Sequence, residues 1–247
     1  MDDYKVDFHI HTTASDTNGL AEAMIAAEAL EMKVVPGIEM AVVTEEDIGL
    51  HILGYNIDTE NEELQAFLSQ MIARRKERNA ELFKVLQEMG YDISEKDVEA
   101  GKNDYIGKPL IAKALVSKGY IREYGQAFSK SILNSPKCDA VKKVKPLASE
   151  AIEIIIKAGG TPVLAHPIQT RYIGRPGSDE FYANIEKIIA KLKKQGLKGL
   201  ECFHPDQNFR QSMKFIEMTE KYHLHITRGS DFHGENLAEA DKTANER

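Results

Sequence analysis

The chain has 247 residues, 42% of them hydrophobic and 29% charged, with a formal net charge of −7. That length allows one large domain or two small ones with an ample core. The acidic balance argues against non-specific binding to a nucleic-acid backbone, yet leaves room for a small anionic substrate held through metal ions.

From the N-terminus, "MDDYKVDF" lacks the basic-then-apolar pattern of a signal peptide, and no apolar run in the chain reaches membrane-spanning length. Cys138 and Cys202 are the only cysteines and form no Cys-x-x-Cys pair. A reducing, cytoplasmic setting with no membrane partner is the expectation. "VDFHIHTTASD" begins at Val6. On a β-strand, Val6, Phe8 and Ile10 share one face and Asp7, His9 and His11 the other. Two imidazoles at i and i+2 can reach one metal ion, and Asp16 follows five residues later.

"KVDFHIH", "KVVPGIEM", "LHILGYNI", "TPVLAHP", "LKGLECFHP" and "LHITRGSDFH" read as buried strands. Amphipathic helices separate the later ones: "SEAIEIIIKAGG", with Ser149 as N-cap and Gly159 or Gly160 closing it, then "SDEFYANIEKIIAKLKKQG" and "FRQSMKFIEMTEKYH". Strands alternating with helices predict a parallel α/β architecture, either a barrel or an open sheet. The rhythm breaks between Asn61 and Leu133. Leu64, Phe67, Leu68, Met71 and Ile72 mark one helical stripe, and Leu82, Phe83, Leu86 and Met89 another. Pro109 suits a first helical turn. The predicted organisation is a metal-binding body over 1–60 and 134–247, with a helical insert over 61–133. The insert leaves after the His51 strand and returns before the His166 strand, so it is expected to overhang the site.

Metal-type residues recur where these strand-like runs end: His9 and His11, Glu39, His51, His166, and Asp231 with His233. In barrel enzymes such positions converge at one face. The set is imidazole and carboxylate without thiolate, which suits Mn²⁺, Fe²⁺, Zn²⁺ or Mg²⁺ and disfavours a structural zinc site. It is too large for one ion, and a carboxylate such as Glu39 could bridge two. His223 and His225 share a predicted strand face far from this set and read as structural. His204 and Glu201 stand near a strand end, where the first could touch substrate or metal and the second could orient a ligand. The "ARRKER" run at Ala73–Arg78 reads as a solvated helix face rather than an RNA contact.

"DFHIHTTASD", "PGIEM", "HILGY", "VLAHP" and "GSDFHG" resemble, in this order, the motifs of the polymerase-and-histidinol-phosphatase (PHP) superfamily. The nearest likeness is to its stand-alone phosphoesterases, and "IGKPLIAKALVSKGY" resembles a segment of that subgroup. The resemblance implies a distorted (β/α)₇ TIM-like barrel holding two or three divalent ions, with His9, His11, Asp16, Glu39, His51, His166, Asp231 and His233 as ligands. It implies a metal-activated hydroxide attacking a phosphate ester of a small phosphorylated or nucleotidic substrate, or an RNA 5′ end. His166 or His233 would help protonate the leaving group, and Lys108, Arg171 and His204 would contact substrate. Family members carry Arg-Pro-His where this chain has "KPL", so Leu110 forfeits one contact. The alternatives are a degraded domain that binds metal or a partner without turnover, and C–N bond hydrolysis by a similar metal-lined barrel.

One implied element is missing. In the family a helix and a strand ending in a Thr-Asp-His-Asp type motif follow the first motif, whereas here Asp16 runs directly into Thr17. Losing an inner strand would expose ladder groups and apolar faces. Because the flanks rejoin at family-like positions, the expectation is omitted residues, with a gap between Asp16 and Thr17 well beyond the ~3.8 Å of consecutive Cα atoms. The alternative is a true deletion, with a cluster missing one ligand and an opened or re-paired barrel.

Overall fold

The computed structural model of the chain describes residues 6–12, 17–98, 106–141 and 145–233. Asp16, and with it the Asp16–Thr17 junction, lies outside these residues. Five strands form one sheet in chain order: β1 (Gly37–Val43), β2 (Gly49–Tyr55), β3 (Thr161–Leu164), β4 (Gly199–Phe203) and β5 (His225–Arg228). The helices are α1 (Thr17–Ala29), α2 (Glu62–Glu88), α3 (Lys108–Ser117), α4 (Pro136–Ala140), α5 (Ala148–Lys157), α6 (Asp179–Lys194) and α7 (Phe209–Tyr222).

The sheet is mixed, which corrects the all-parallel expectation. β1 and β3 both run antiparallel to β2, while β3, β4 and β5 are mutually parallel. The connection Thr44–Ile48 is too short for a helical crossover, so β1 and β2 must form a hairpin. Its turn is tied by the Thr44 hydroxyl, which accepts the Glu46 and Ile48 amides at 3.2 and 3.3 Å. The longer β3–α6–β4 and β4–α7–β5 connections return the chain to parallel register. Among the described residues the sheet is open and not closed into a barrel.

The segment "KVDFHIH" is not a regular strand. Over its described residues it makes a single parallel bridge, Ile10 to Phe232, flanked by backbone bonds from Phe8 N to the Arg228 carbonyl (3.1 Å), Asp231 N to His9 (2.8 Å) and His11 N to Phe232 (2.8 Å). From Phe8 to His11 its alternation has two faces, with the histidines turned inward (His9 is 3% exposed, Ile10 58%), while Asp7 at the start of the polar row is exposed. The inward histidines meet carboxylates, and that pairing decides which face is buried.

Chain 1–67 with 145–247 forms one compact unit and 68–144 another. In the first, Ile152 and Ile155 of α5 are fully buried, and Gly54 lets that helix approach β2, because a Cβ there would lie 2.9 Å from Ile155 Cγ1. Ser149 is not the N-cap of α5. The helix starts at Ala148, and the Glu150 carboxylate accepts the Leu147 amide at 2.7 Å in its place. His223 closes α7 with φ 50° instead of sharing a strand face with His225. In the second unit, Leu82, Phe83 and Leu86 of α2 pack with Ile111 and Leu115 of α3 and with Leu133. Pro109 stands in the first turn of α3. The earlier stripe on α2 is buried at Leu64 but exposed at Ile72.

Candidate metal centre

The antiparallel hairpin places the first two donors. In the β1–β2 register Ala41 faces His51 and Glu39 faces Leu53, so Glu39 and His51 are diagonal neighbours on one face. Both are third in their strands rather than at strand ends, contrary to the expected pattern. They still reach the common edge because β2 runs backwards: the Ala165 amide bonds the His51 carbonyl at 3.0 Å, setting the start of β2 beside the end of β3. His166 follows β3, His204 follows β4, and Asp231 and His233 follow β5. The segment 8–11 adds His9 and His11 from its bridge beside the chain leaving β5.

These side chains make two groups of donor atoms, each lying within 4.8 Å: His9, His11, Glu39 and Asp231; and Glu39, His51 and His166. Glu39 belongs to both. Its Oε1 lies 2.6 Å from His51 Nδ1 and 3.1 Å from His166 Nε2, and its Oε2 lies 3.2 Å from His11 Nε2. Asp231 Oδ1 is 3.2 Å from Nε2 of both His9 and His11, which are themselves 3.2 Å apart. That oxygen is buried yet makes no well-directed hydrogen bond. Imidazole nitrogens and a carboxylate turned on one point, with a buried acceptor unsatisfied, fit a cation.

His233 stands beside the first group, its ring stacked on His11 at 4.0 Å and its Nδ1 bonded to the Asp231 carbonyl at 2.8 Å. It joins neither group, and Asp16 lies outside the described residues. Arg171 is exposed in the loop after the Pro167–Gln169 turn. Lys108 directs its ammonium to the Leu133 carbonyl (2.6 Å), Asn134 Oδ1 (3.2 Å) and Asp139 Oδ1 (3.4 Å), all within its own unit.

Electrostatics bind the cluster together in its metal-free form. Burial alone would push the His9 imidazole down, but the carboxylates of Glu201 and Glu39 raise it to about 10. His11, likewise opposed by burial, is raised to about 9 by Asp231 and Glu39. Burial would raise Glu39, yet hydrogen bonds from His11, His166, His51 and His9 hold it far below the usual carboxylate range. His204 differs. Burial lowers its pKa, and its Nδ1 accepts the Asp206 amide at 3.2 Å, so the proton sits on Nε2. That Nε2 is buried without a partner, 4.0 Å from Asp231 Oδ2.

Sequence reasoning missed Gly229. A Cβ there would lie 2.1 Å from His9 Cβ and 2.6 Å from Glu201 Oε1, so only glycine lets the chain after β5 pass the histidine. Asp7 Oδ1 accepts both the His9 and Ser230 amides (3.1 and 3.0 Å), tying the same two segments.

No protein-family model matches the chain. It is 27% identical over 256 residues to a 5′-3′ exoribonuclease of Haemophilus influenzae, covering 93% of this chain and 90% of that one. It is 28% identical over 260 residues to a phosphoribosyl 1,2-cyclic phosphate 1,2-diphosphodiesterase of Eggerthella lenta, covering 92% and 94%. Among solved structures, one described as a metal-dependent phosphoesterase from Bifidobacterium adolescentis superposes with a TM-score of 0.68 at 27% identity, covering 92% of this chain and 76% of that one. An amidohydrolase from Chromobacterium violaceum, solved with sulfate and no metal, superposes with a TM-score of 0.69 at 26% identity, covering 89% and 74%.

Proposed function

We propose that this metal-dependent phosphoesterase of the PHP type cleaves a phosphate ester of a nucleotide or of an RNA 5′ end, and that Glu39 would help to hold each of two divalent ions. The observation that carries the reading is the pair of donor groups with one carboxylate in common. When bound, Mn²⁺, Fe²⁺, Zn²⁺ or Mg²⁺ would supply Lewis acidity and an activated water. His9, His11, Glu39 and Asp231 would hold one position, and Glu39, His51 and His166 the other. Asp16 and His233 are the remaining ligand assignments, and a third ion would depend on them. We assign the open sheet to the distorted (β/α)₇ barrel of the family, a reading supported by the superposition on the phosphoesterase.

The protein's own groups then divide the work. His204 offers a neutral Nε2–H beside Asp231, a donor suited to a non-bridging phosphate oxygen. Arg171 is the second phosphate contact, its guanidinium matching two oxygens at once. His166 belongs to the second donor group whereas His233 joins neither, so His233 serves proton transfer to the leaving group unless a third ion takes it. A nucleotidic substrate agrees with the names of the exoribonuclease and the cyclic phosphate diphosphodiesterase. The buried free thiols Cys138 and Cys202 fit a reducing cytoplasm.

The test is to strip the protein with chelator and restore each ion in turn. Hydrolysis is then followed on an aryl phosphate, a nucleotide 3′,5′-bisphosphate and a short 5′-phosphorylated RNA. Turnover that depends on added metal is expected for at least one of them. Metal uptake without turnover of any would favour a non-catalytic binding domain, and no uptake would overturn the site.

A further inference from the structure

Glu201 belongs to neither donor group, although it is entirely buried in the middle of β4. Its two oxygens are committed to different ligands. Oε1 lies 3.2 Å from Nδ1 of His9, and Oε2 accepts the backbone amide of His166 at 2.7 Å. We infer that Glu201 is a positioning residue that braces both metal positions at once, fixing the tautomer of His9 and the backbone of His166. This rests on the two-ion reading above.

An ionised carboxylate can only accept, so the His9 proton facing it must sit on Nδ1. The lone pair of Nε2 is then left facing Asp231 and His11, where the first ion would bind. A carboxylate behind a ligating imidazole also raises its basicity. On the other side, His166 holds φ 22°, a left-handed conformation costly for a residue with a Cβ. The amide captured by Glu201 pins that turn and so aims Nε2 at Glu39, 3.1 Å away. Both Glu201 oxygens are taken up by protein nitrogens and the residue joins neither donor group, which sets it apart from the ligands. Gly229 keeps open the space in which Oε1 and His9 meet.

Glu201→Gln separates the two roles. The amide has one acceptor and one donor, and the His166 amide requires the acceptor. The NH₂ must then face His9 Nδ1, forcing the proton onto Nε2, where it blocks metal. The variant should keep the fold by circular dichroism and hold the ion at Glu39, His51 and His166 within about threefold of wild-type affinity. It should bind the ion at His9 roughly 10–100-fold more weakly, the usual effect of losing such a support. Metal titration followed by plasma emission counts the ions. Long-range ¹H–¹⁵N spectra of the Zn²⁺-loaded wild type should show the His9 proton on Nδ1, a signature that does not depend on the variant folding. Wild-type affinity for both ions in Glu201→Gln, or an Nε2 proton on His9 in the wild type, would overturn the inference while leaving the phosphoesterase reading intact. A wild-type protein that takes up no ion would overturn both.

Discussion

Gly229→Ala adds one methyl group at the most crowded point of the site. The new Cβ would stand 2.1 Å from His9 Cβ and 2.9 Å from His9 N. Carbon atoms pack at ~3.5–4.0 Å, so the contact is about 1.5 Å too short. Neither neighbour can yield cheaply: the His9 carbonyl is bonded to the Asp231 amide at 2.8 Å, and Glu201 is fully buried. The segment carrying His9 and His11 must move by about 1 Å, a displacement that costs on the order of 10²-fold in rate when reacting groups are misplaced. Overpacking of this kind destabilises by about 1–3 kcal/mol, which a domain of ordinary stability survives. We therefore expect kcat/KM on the best substrate to fall about 100-fold, with reduced metal content and a modest drop in Tm. Gly125→Ala, which would meet nothing within 4 Å, is the control. Wild-type turnover and metal content in Gly229→Ala would refute the claim that this close approach positions the histidines.

Glu39→Gln keeps the side chain's shape but removes the charge shared by both donor groups; activity should fall roughly 10²–10³-fold with the fold intact. Unchanged metal content in that variant would exclude a bridging role. Metal uptake near neutral pH should release protons, because His9 and His11 are raised from 6.5 to about 10 and about 9 in the metal-free protein and ions bind neutral imidazole. By the same linkage their pairing supports the metal-free fold fully below pH 6.5 and is lost as pH rises through 9 to 10. Calorimetry in two buffers of different ionisation heat measures the release, and none at neutral pH would contradict these shifts. Lys108→Ala should lower thermal stability by about 1 kcal/mol through its three lost acceptors. A higher KM with unchanged stability would identify Lys108 as a phosphate contact instead.

The five later strand runs were legible because each is short and bounded by glycine, proline or a polar turn, but β5, expected to be buried, is largely exposed. Strand direction was not: alternation of strands and helices says nothing about the Thr44–Ile48 turn until its brevity is weighed. In "VDFHIH" the period of two assigned the residues to faces correctly, but which face turns inward depends on Glu39, Glu201 and Asp231, far away in sequence. The histidines and carboxylates stood out by residue type, but the strand-end placement expected of Glu39 and His51 failed, because β2 runs backwards and both are third in their strands. Gly229 could not, since its necessity arises from a backbone passing a side chain more than 200 positions away.

The pairing of Ile10 with Phe232 makes assembly of the first donor group a late step in the folding of the chain. Half of the first donor group is carried by a segment whose ladder partner, among the described residues, is synthesised some 220 residues afterwards. Contacts of such separation are slow to form. An ion at the first group would therefore have to wait for Asp231, whereas Glu39, His51 and His166 of the second group all come earlier in the chain. A nascent chain stalled before β5 would leave His9 and His11 without Asp231.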